Sequence, residues 1–177
     1  MPTITPDQAT FVLHAVALPM LKNEHALTKR VIEAIPQKGE EYRPDPNAKS
    51  AMELAWHVVA AEHRFLSGVA DGVFDFTANH RPESVKNSAD MAKWFDDSFN
   101  KNIARLGAMS GDDLAKELDF RGVFKMPAVM FLTASNNHSI HHRGQLSVYL
   151  RPMGAKVPAI YGESYDSAES KKAAGAA

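Results

Sequence analysis

Apolar residues recur along this chain at helical rather than strand spacing. Leu13, Val16, Ala17, Met20, Leu27, Val31 and Ile35 fall on one stripe of a helix that opens at Thr5-Pro6-Asp7-Gln8 and stops at Pro36. The opening is a capping box with proline at the first helical position, where its missing N–H costs nothing. Pro19 falls inside the stripe and predicts a kink. Glu24, an acid, occupies an apolar slot of the same stripe.

A second capping box, Ser50-Ala51-Met52-Glu53, starts the next helix after a crossover loop over 37–49. Leu54, His57, Val58, Ala61 and Phe65 then share one face, so this helix points a histidine at the core. A long connection runs from Gly68 through Pro82. Asn87 and Asp90 mark a third helix with Met91, Trp94, Phe95, Ser98, Ile103 and Leu106 on its apolar side. Past a short capped turn and a brief extended piece over 120–126, Pro127 is expected to open a fourth helix reaching Leu150, which Arg151-Pro152-Met153-Gly154 stops. The pattern predicts an all-α chain: a four-helix bundle with at least one crossover over residues 1–162, and a flexible C-terminal tail over 163–177.

Composition narrows the chemistry. The 177 residues carry 20 Lys+Arg against 21 Asp+Glu, and no basic tract extends beyond Lys171-Lys172, so nucleic acid is not expected as a partner. The apolar run from Phe11 to Leu21 is broken by His14 and Pro19 and is too short for a span, so no membrane partner is expected and the location read from the chain is cytoplasmic. With no cysteine, thiolate zinc sites, iron–sulfur clusters and cysteine nucleophiles are excluded together; a metal site must use His, Asp, Glu or water.

Eight histidines stand at 14, 25, 57, 63, 80, 138, 141 and 142. His138 and His142 are four apart, which brings both imidazoles to one helix face, able to chelate one ion. Chance supplies about 0.4 such pairs in a chain of this composition, so the pair alone decides nothing. His57 adds weight, because an imidazole in an apolar stripe needs partners for its ring nitrogens. The competing reading is a core histidine bonded to a backbone carbonyl. Three histidines from two helices would form a facial site with positions open to water or substrate.

The string His138-Ser139-Ile140-His141-His142-Arg143-Gly144-Gln145-Leu146, continued by Tyr149-Leu150-Arg151-Pro152-Met153-Gly154 and Val157-Pro158, resembles the HxxHHRGQ helix and LRxxGxxxP exit of the DinB/YfiT-like metalloenzyme family. Leu54-Ala55-Trp56-His57 is similar to the second-helix histidine of that family. The resemblance implies an up-up-down-down four-helix bundle with long crossover connections, often a homodimer, and a metal triad of His57, His138 and His142 holding one zinc or nickel ion. It also implies kinship with thiol-dependent transferases or isomerases that use bacillithiol, mycothiol or glutathione, although most relatives have no established activity.

Other residues take supporting parts. His141 is assigned to the second shell or an interface. Gln145 and Tyr149, seven residues after His138 and His142, line the pocket, or else serve as a buried amide tie and a core ring. Glu53 lies within reach of His57, although its capping role competes for the carboxylate. Glu24 either meets an imidazole N–H, a metal-bound water or an arginine, or is rotated into solvent by the Pro19 kink. Arg143 reads as a surface or loop-bracing residue and Gly144 as a point of close helix approach. His14, His25, His63 and His80 read as surface or local hydrogen-bonding groups. The expected function is that of a divalent-metal enzyme acting on an unidentified small molecule, a thiol-dependent transferase or isomerase, with a metal-dependent hydrolase and a nonenzymatic metal-binding stress protein as alternatives.

Overall fold

The structure, a computed structural model, describes residues 3–77 and 80–175. The first helix is continuous but not uniform: α1 (Pro6–Phe11), a π-helical turn (Val12–Ala17) and α2 (Leu18–Glu33) follow without a break. Both expected capping boxes form, at Thr5 and at Ser50. Pro19 has no N–H to give the Ala15 carbonyl and its ring crowds that oxygen; the wide turn just before it absorbs the conflict where a kink was expected. The extra residue re-phases the stripe, so Leu13, Ala17 and Leu21 point inward while Val16 and Met20 are exposed.

α3 (Ala51–Asp71), α4 (Ser88–Gly107) and α6 (Met130–Leu150) complete the bundle, with the short α5 (Gly111–Ala115) and a hairpin of β1 (Glu117–Phe120) and β2 (Phe124–Pro127) between the last two. The expected extended piece is therefore a paired ribbon, with Leu118 opposite Met126, and it takes up Pro127, so the helix begins three residues later than expected. Arg121 and Gly122 turn the hairpin at positive φ. The segment expected as a tail carries α7 (Tyr165–Gly175), none of whose residues is buried.

Going around the bundle, α2 touches α4 and α6, and α3 touches the same two, leaving α2 and α3 diagonal. One end gathers Ile35, Ala51, Met91 and Leu150; the other gathers Leu13, Val69, Leu106 and Leu132. The helices therefore run up, down, down, up, and the up-up-down-down order expected for the four-helix bundle is corrected. The α2–α3 loop stays at one end, and the stretch 72–87 must cross the bundle's full height. At about 1.5 Å per residue α3 is roughly 30 Å long, which an extended segment of that size can span.

The two apolar clusters meet at a polar layer formed by Glu24, His25 and Thr28 of α2, Glu62 of α3 and Ser135, Asn136, Ser139 and Arg143 of α6. The candidate metal ligands sit beside this layer.

Candidate metal centre

α3 and α6 run antiparallel, and their mid-helix turns bring His57 against His138 and His142. His57 Nε2 lies 3.1 Å from His142 Nε2 and 3.1 Å from His138 Nε2. The three form a cluster of possible metal ligands whose ligand atoms all fall within 4.8 Å of one another. Imidazole nitrogens about 2.0–2.1 Å from a tetrahedral ion are roughly 3.3 Å apart, so the observed spacing fits a shared divalent cation. Without one, His57 Nε2 faces two like nitrogens and can donate a proton to only one of them.

Electrostatics favour the ligand form. Burial, reinforced by the charges of His142 and His57, holds the His138 imidazole down at about 4. Burial and then the His142 charge lower His57 as well. Both rings are therefore neutral at pH 7, with lone pairs available. His142 donates its Nδ1–H to Gln145 Oε1 at 2.7 Å, which leaves Nε2 as the free nitrogen. His138 Nδ1 and, one turn earlier, Ser135 Oγ are buried without a partner among the described residues.

The other expected positions divide. Gln145 supports the centre directly, and His141 is an exposed ring edge-on to His142 at 4.7 Å. Glu53 does not reach His57: its carboxylate closes the helix cap and takes a two-pronged pair from Arg43 at 2.7 and 2.9 Å, although it lines the same cleft. Tyr149 packs edge-on against Tyr42 rather than against a triad ring.

Glu24 is not carried into solvent. It is 7% exposed and ion-paired with Arg143 at 2.7 Å. Burial pushes its carboxyl up, but hydrogen bonds from Tyr161 and Arg143, with the Arg143 charge, prevail and hold it below the ordinary carboxylate value. Arg143, read as a surface residue, is 1% exposed and also donates to the Glu24 carbonyl, Thr28 Oγ1 and Tyr161 Oη. Gly144, expected at a helix contact, faces open space.

Two polar residues depart from the sequence reading: His25, read as a surface or local hydrogen-bonding group, and Glu62, not singled out, are both buried. His25 is buried between Phe95 and Phe99, with Nδ1 3.0 Å from Glu62 Oε1 and Nε2 3.2 Å from Asp96 Oδ1. Glu62 also accepts from Ser139, the neighbour of His138, so this chain of contacts crosses all four helices. Burial drives the Glu62 carboxyl up, and its bonds to His25 and Ser139 offset that only in part. The signal was available: Leu21, His25, Thr28 and Ile32 form one helical stripe, as do Leu54, Val58, Glu62 and Leu66.

A cleft of about 410 Å³ opens on His57, lined by Lys49, Glu53, Trp56, Ala60, Ala61 and Arg64. A larger apolar groove of about 720 Å³, between Phe11, Val12, Pro127 and Met130, lies at the bundle's far end and carries none of this chemistry. No helix among the described residues is long and apolar enough to cross a membrane.

Comparison with known proteins agrees with the fold. The DinB family matches residues 10–173. The uncharacterized protein YjoA of Bacillus subtilis is 28% identical over 130 residues, covering 72% of this chain and 82% of YjoA. The uncharacterized protein YrdA of the same organism is 34% identical over 111 residues, covering 62% of this chain and 64% of YrdA. The crystal structure of the DinB-like YjoA superposes with a TM-score of 0.69 at 25% identity, covering 84% of this chain and 99% of that one. A DinB-like protein from Bacillus cereus ATCC 10987 gives the same TM-score and identity over 82% of this chain and 95% of its own.

Proposed function

This chain belongs to the DinB family, and on that premise we propose that it is a metal-dependent enzyme whose single divalent ion is held by His57, His138 and His142. The observation that supports this reading is three imidazole nitrogens converging beside an open cleft, in a ligand cluster of three residues rather than four. A closed structural site would bring a fourth protein ligand. A divalent ion supplies Lewis acidity, lowering the pKa of a bound water or thiol toward neutrality.

The chain's own residues prepare the site. Gln145 fixes the His142 tautomer, and the bundle wall keeps His57 and His138 unprotonated. No carboxylate hydrogen-bonds a triad ring among the described residues, so a bound water or thiol would be deprotonated through the ion rather than by a carboxylate base at the centre. Transfer to or from a low-molecular-weight thiol needs no such base once the thiol is deprotonated, and with no cysteine in the chain the thiol comes from solution. The same reading takes the protein as a cytoplasmic homodimer. Exposed Phe11, Val16, Met20 and Met130 offer an apolar face for a second copy, and light scattering at a mass near 19.4 kDa would refute that assembly.

The test is reconstitution with Zn²⁺ or Ni²⁺. About one ion per chain is expected; His57→Ala, His138→Ala and His142→Ala each lose most of it, while His63→Ala, whose ring contacts Asn102 and Trp94, keeps it. Stoichiometric metal in His142→Ala overturns the assignment. Metal-loaded protein is then screened for glutathione, bacillithiol and mycothiol conjugation and for ester hydrolysis. Thiol-independent hydrolysis lost in His138→Ala would transfer the protein to the hydrolases, and no turnover in either screen would leave a metal-binding protein.

A further inference from the structure

The cleft beside the triad carries more positive charge than its acids answer. Arg64 stands two helical turns after His57 on the same side of α3, and both line the cleft together with Lys49. The half-buried Arg64 spends its Nε–H on the Asp75 carbonyl at 3.1 Å, and its two Nη atoms meet no acceptor among the described residues. The nearby acids are engaged elsewhere: Glu53 with Arg43, Asp71 with Arg105, and Asp75 with the backbone N–H and hydroxyl of Thr77.

A second guanidinium arrives from the hairpin. Phe120 of β1 packs against Phe65, Phe74 and Phe76, which fixes the turn over α3. From there the Arg121 guanidinium lies 4.1 Å from the Phe76 ring centroid, and Arg64 lies 5.5 Å from the same centroid. Arg121 holds this place at φ 58°, a left-handed conformation that residues with a Cβ disfavour. Burial and then the Arg121 charge press on Arg64 to give up its proton and the Asp75 charge offsets this only in part, an unfavourable arrangement that a bound anion would relieve. Arg64, Ala60 and Trp56 also line an adjoining cavity of about 460 Å³ with Trp94, so Arg64 stands where the two spaces meet.

We infer that Arg64, the guanidinium that lines the cleft, forms its oxyanion-binding end, with Arg121 adding positive charge from beside the Phe76 ring, so that the substrate is a small molecule whose carboxylate or phosphate is seated on Arg64 and whose reacting group faces His57, His138 and His142. The inference rests on the catalytic reading of the triad and names its substrate class. Guanidinium suits the task because its planar fork meets two oxygens of one anion at once. A metal ion bound by three neutral imidazoles keeps its full charge, which adds to the attraction from Lys49 and the two arginines.

The test is calorimetric titration of the full-length protein with sodium succinate and with inorganic phosphate, in metal-stripped, desalted protein and again after zinc loading. The metal-stripped protein should bind at least one of the two anions, and the one that binds shows whether the site takes carboxylate or phosphate. Arg64→Gln should weaken that binding about 10-fold or more and Arg121→Gln by a smaller factor of about 2 or more, since the first removes a charge-assisted contact and the second a neighbouring positive charge, while zinc stoichiometry is unchanged. Folding of Arg64→Gln is checked by circular dichroism, and the exposed Arg121→Gln serves if it fails. Wild-type affinity in both variants, or no binding of either anion by the wild type, overturns the inference. Anion binding without zinc binding would instead refute the metal centre and leave the anion site standing.

Discussion

The sharpest test of the polar layer is Arg143→Met. Methionine keeps much of the arginine's volume but removes the 2.7 Å ion pair to Glu24 together with the donors to the Glu24 carbonyl, Thr28 and Tyr161. Glu24 is left buried, with only Tyr161 O–H at 2.7 Å and Asn23 Nδ2 at 3.1 Å as donors. Deleting one partner of a buried pair costs about 3–5 kcal/mol, and the two surviving donors put this case near ~3 kcal/mol. For a chain of this length that is a fall in Tm of roughly 6–12 °C. Urea unfolding followed by circular dichroism measures it, and the double variant Glu24→Met/Arg143→Met should recover most of the loss, because an apolar pair of similar volume needs no desolvation. The pH dependence fixes the cause. In the wild type the Glu24 carboxyl is held below its unfolded value, so its contribution is present above the unfolded pKa and disappears as pH falls through the lowered one. In Arg143→Met the unpaired carboxylate is the disfavoured form, so the deficit should be greatest near pH 7 and shrink as pH falls toward and through the ordinary carboxylate range. A deficit under about 1 kcal/mol at pH 7, or one that stays constant down to pH 4, would refute the buried-pair account.

Three further outcomes follow from the same structure. His25→Leu strands the 3%-exposed Glu62 without its imidazole and should cost about 3 kcal/mol in urea unfolding, whereas exposed His14→Ala should stay within about 0.5 kcal/mol; equal effects would dissolve the cross-bundle network. Gly68→Ala would drive a Cβ into the Phe74 ring and should destabilise by about 1–3 kcal/mol, while Gly144→Ala, in open space on a helix, should stabilise by up to about 1 kcal/mol; thermal melts check both. The His138 pKa is lowered from about 6.5 to about 4, so metal-free protein should lose stability as pH falls through that window, because the unfolded chain takes up the proton first; a flat profile that His138→Ala leaves unchanged would contradict the buried neutral ring.

The sequence by itself determined the elements whose causes are local. Thr5 and Ser50 cap their helices through neighbours three residues away, Asn87 caps the next, and the spacing of His138 and His142 puts two imidazoles on one face whatever the rest of the chain does. His57 was legible as a polar intruder in an apolar stripe, and the helix-six string tied it to a family. The tertiary structure decided everything that depends on which helix lies beside which. Glu24 and Arg143 are 119 residues apart and each looks misplaced alone; only the parallel packing of α2 and α6 joins them into a buried pair. Glu53 lies within reach of His57 along the helix with only its cap competing for the carboxylate, and it is the crossover loop that brings Arg43 onto it. The up-down-down-up order likewise arises from packing, since burial of a helix face against its neighbours outweighs the small local preferences that a sequence displays.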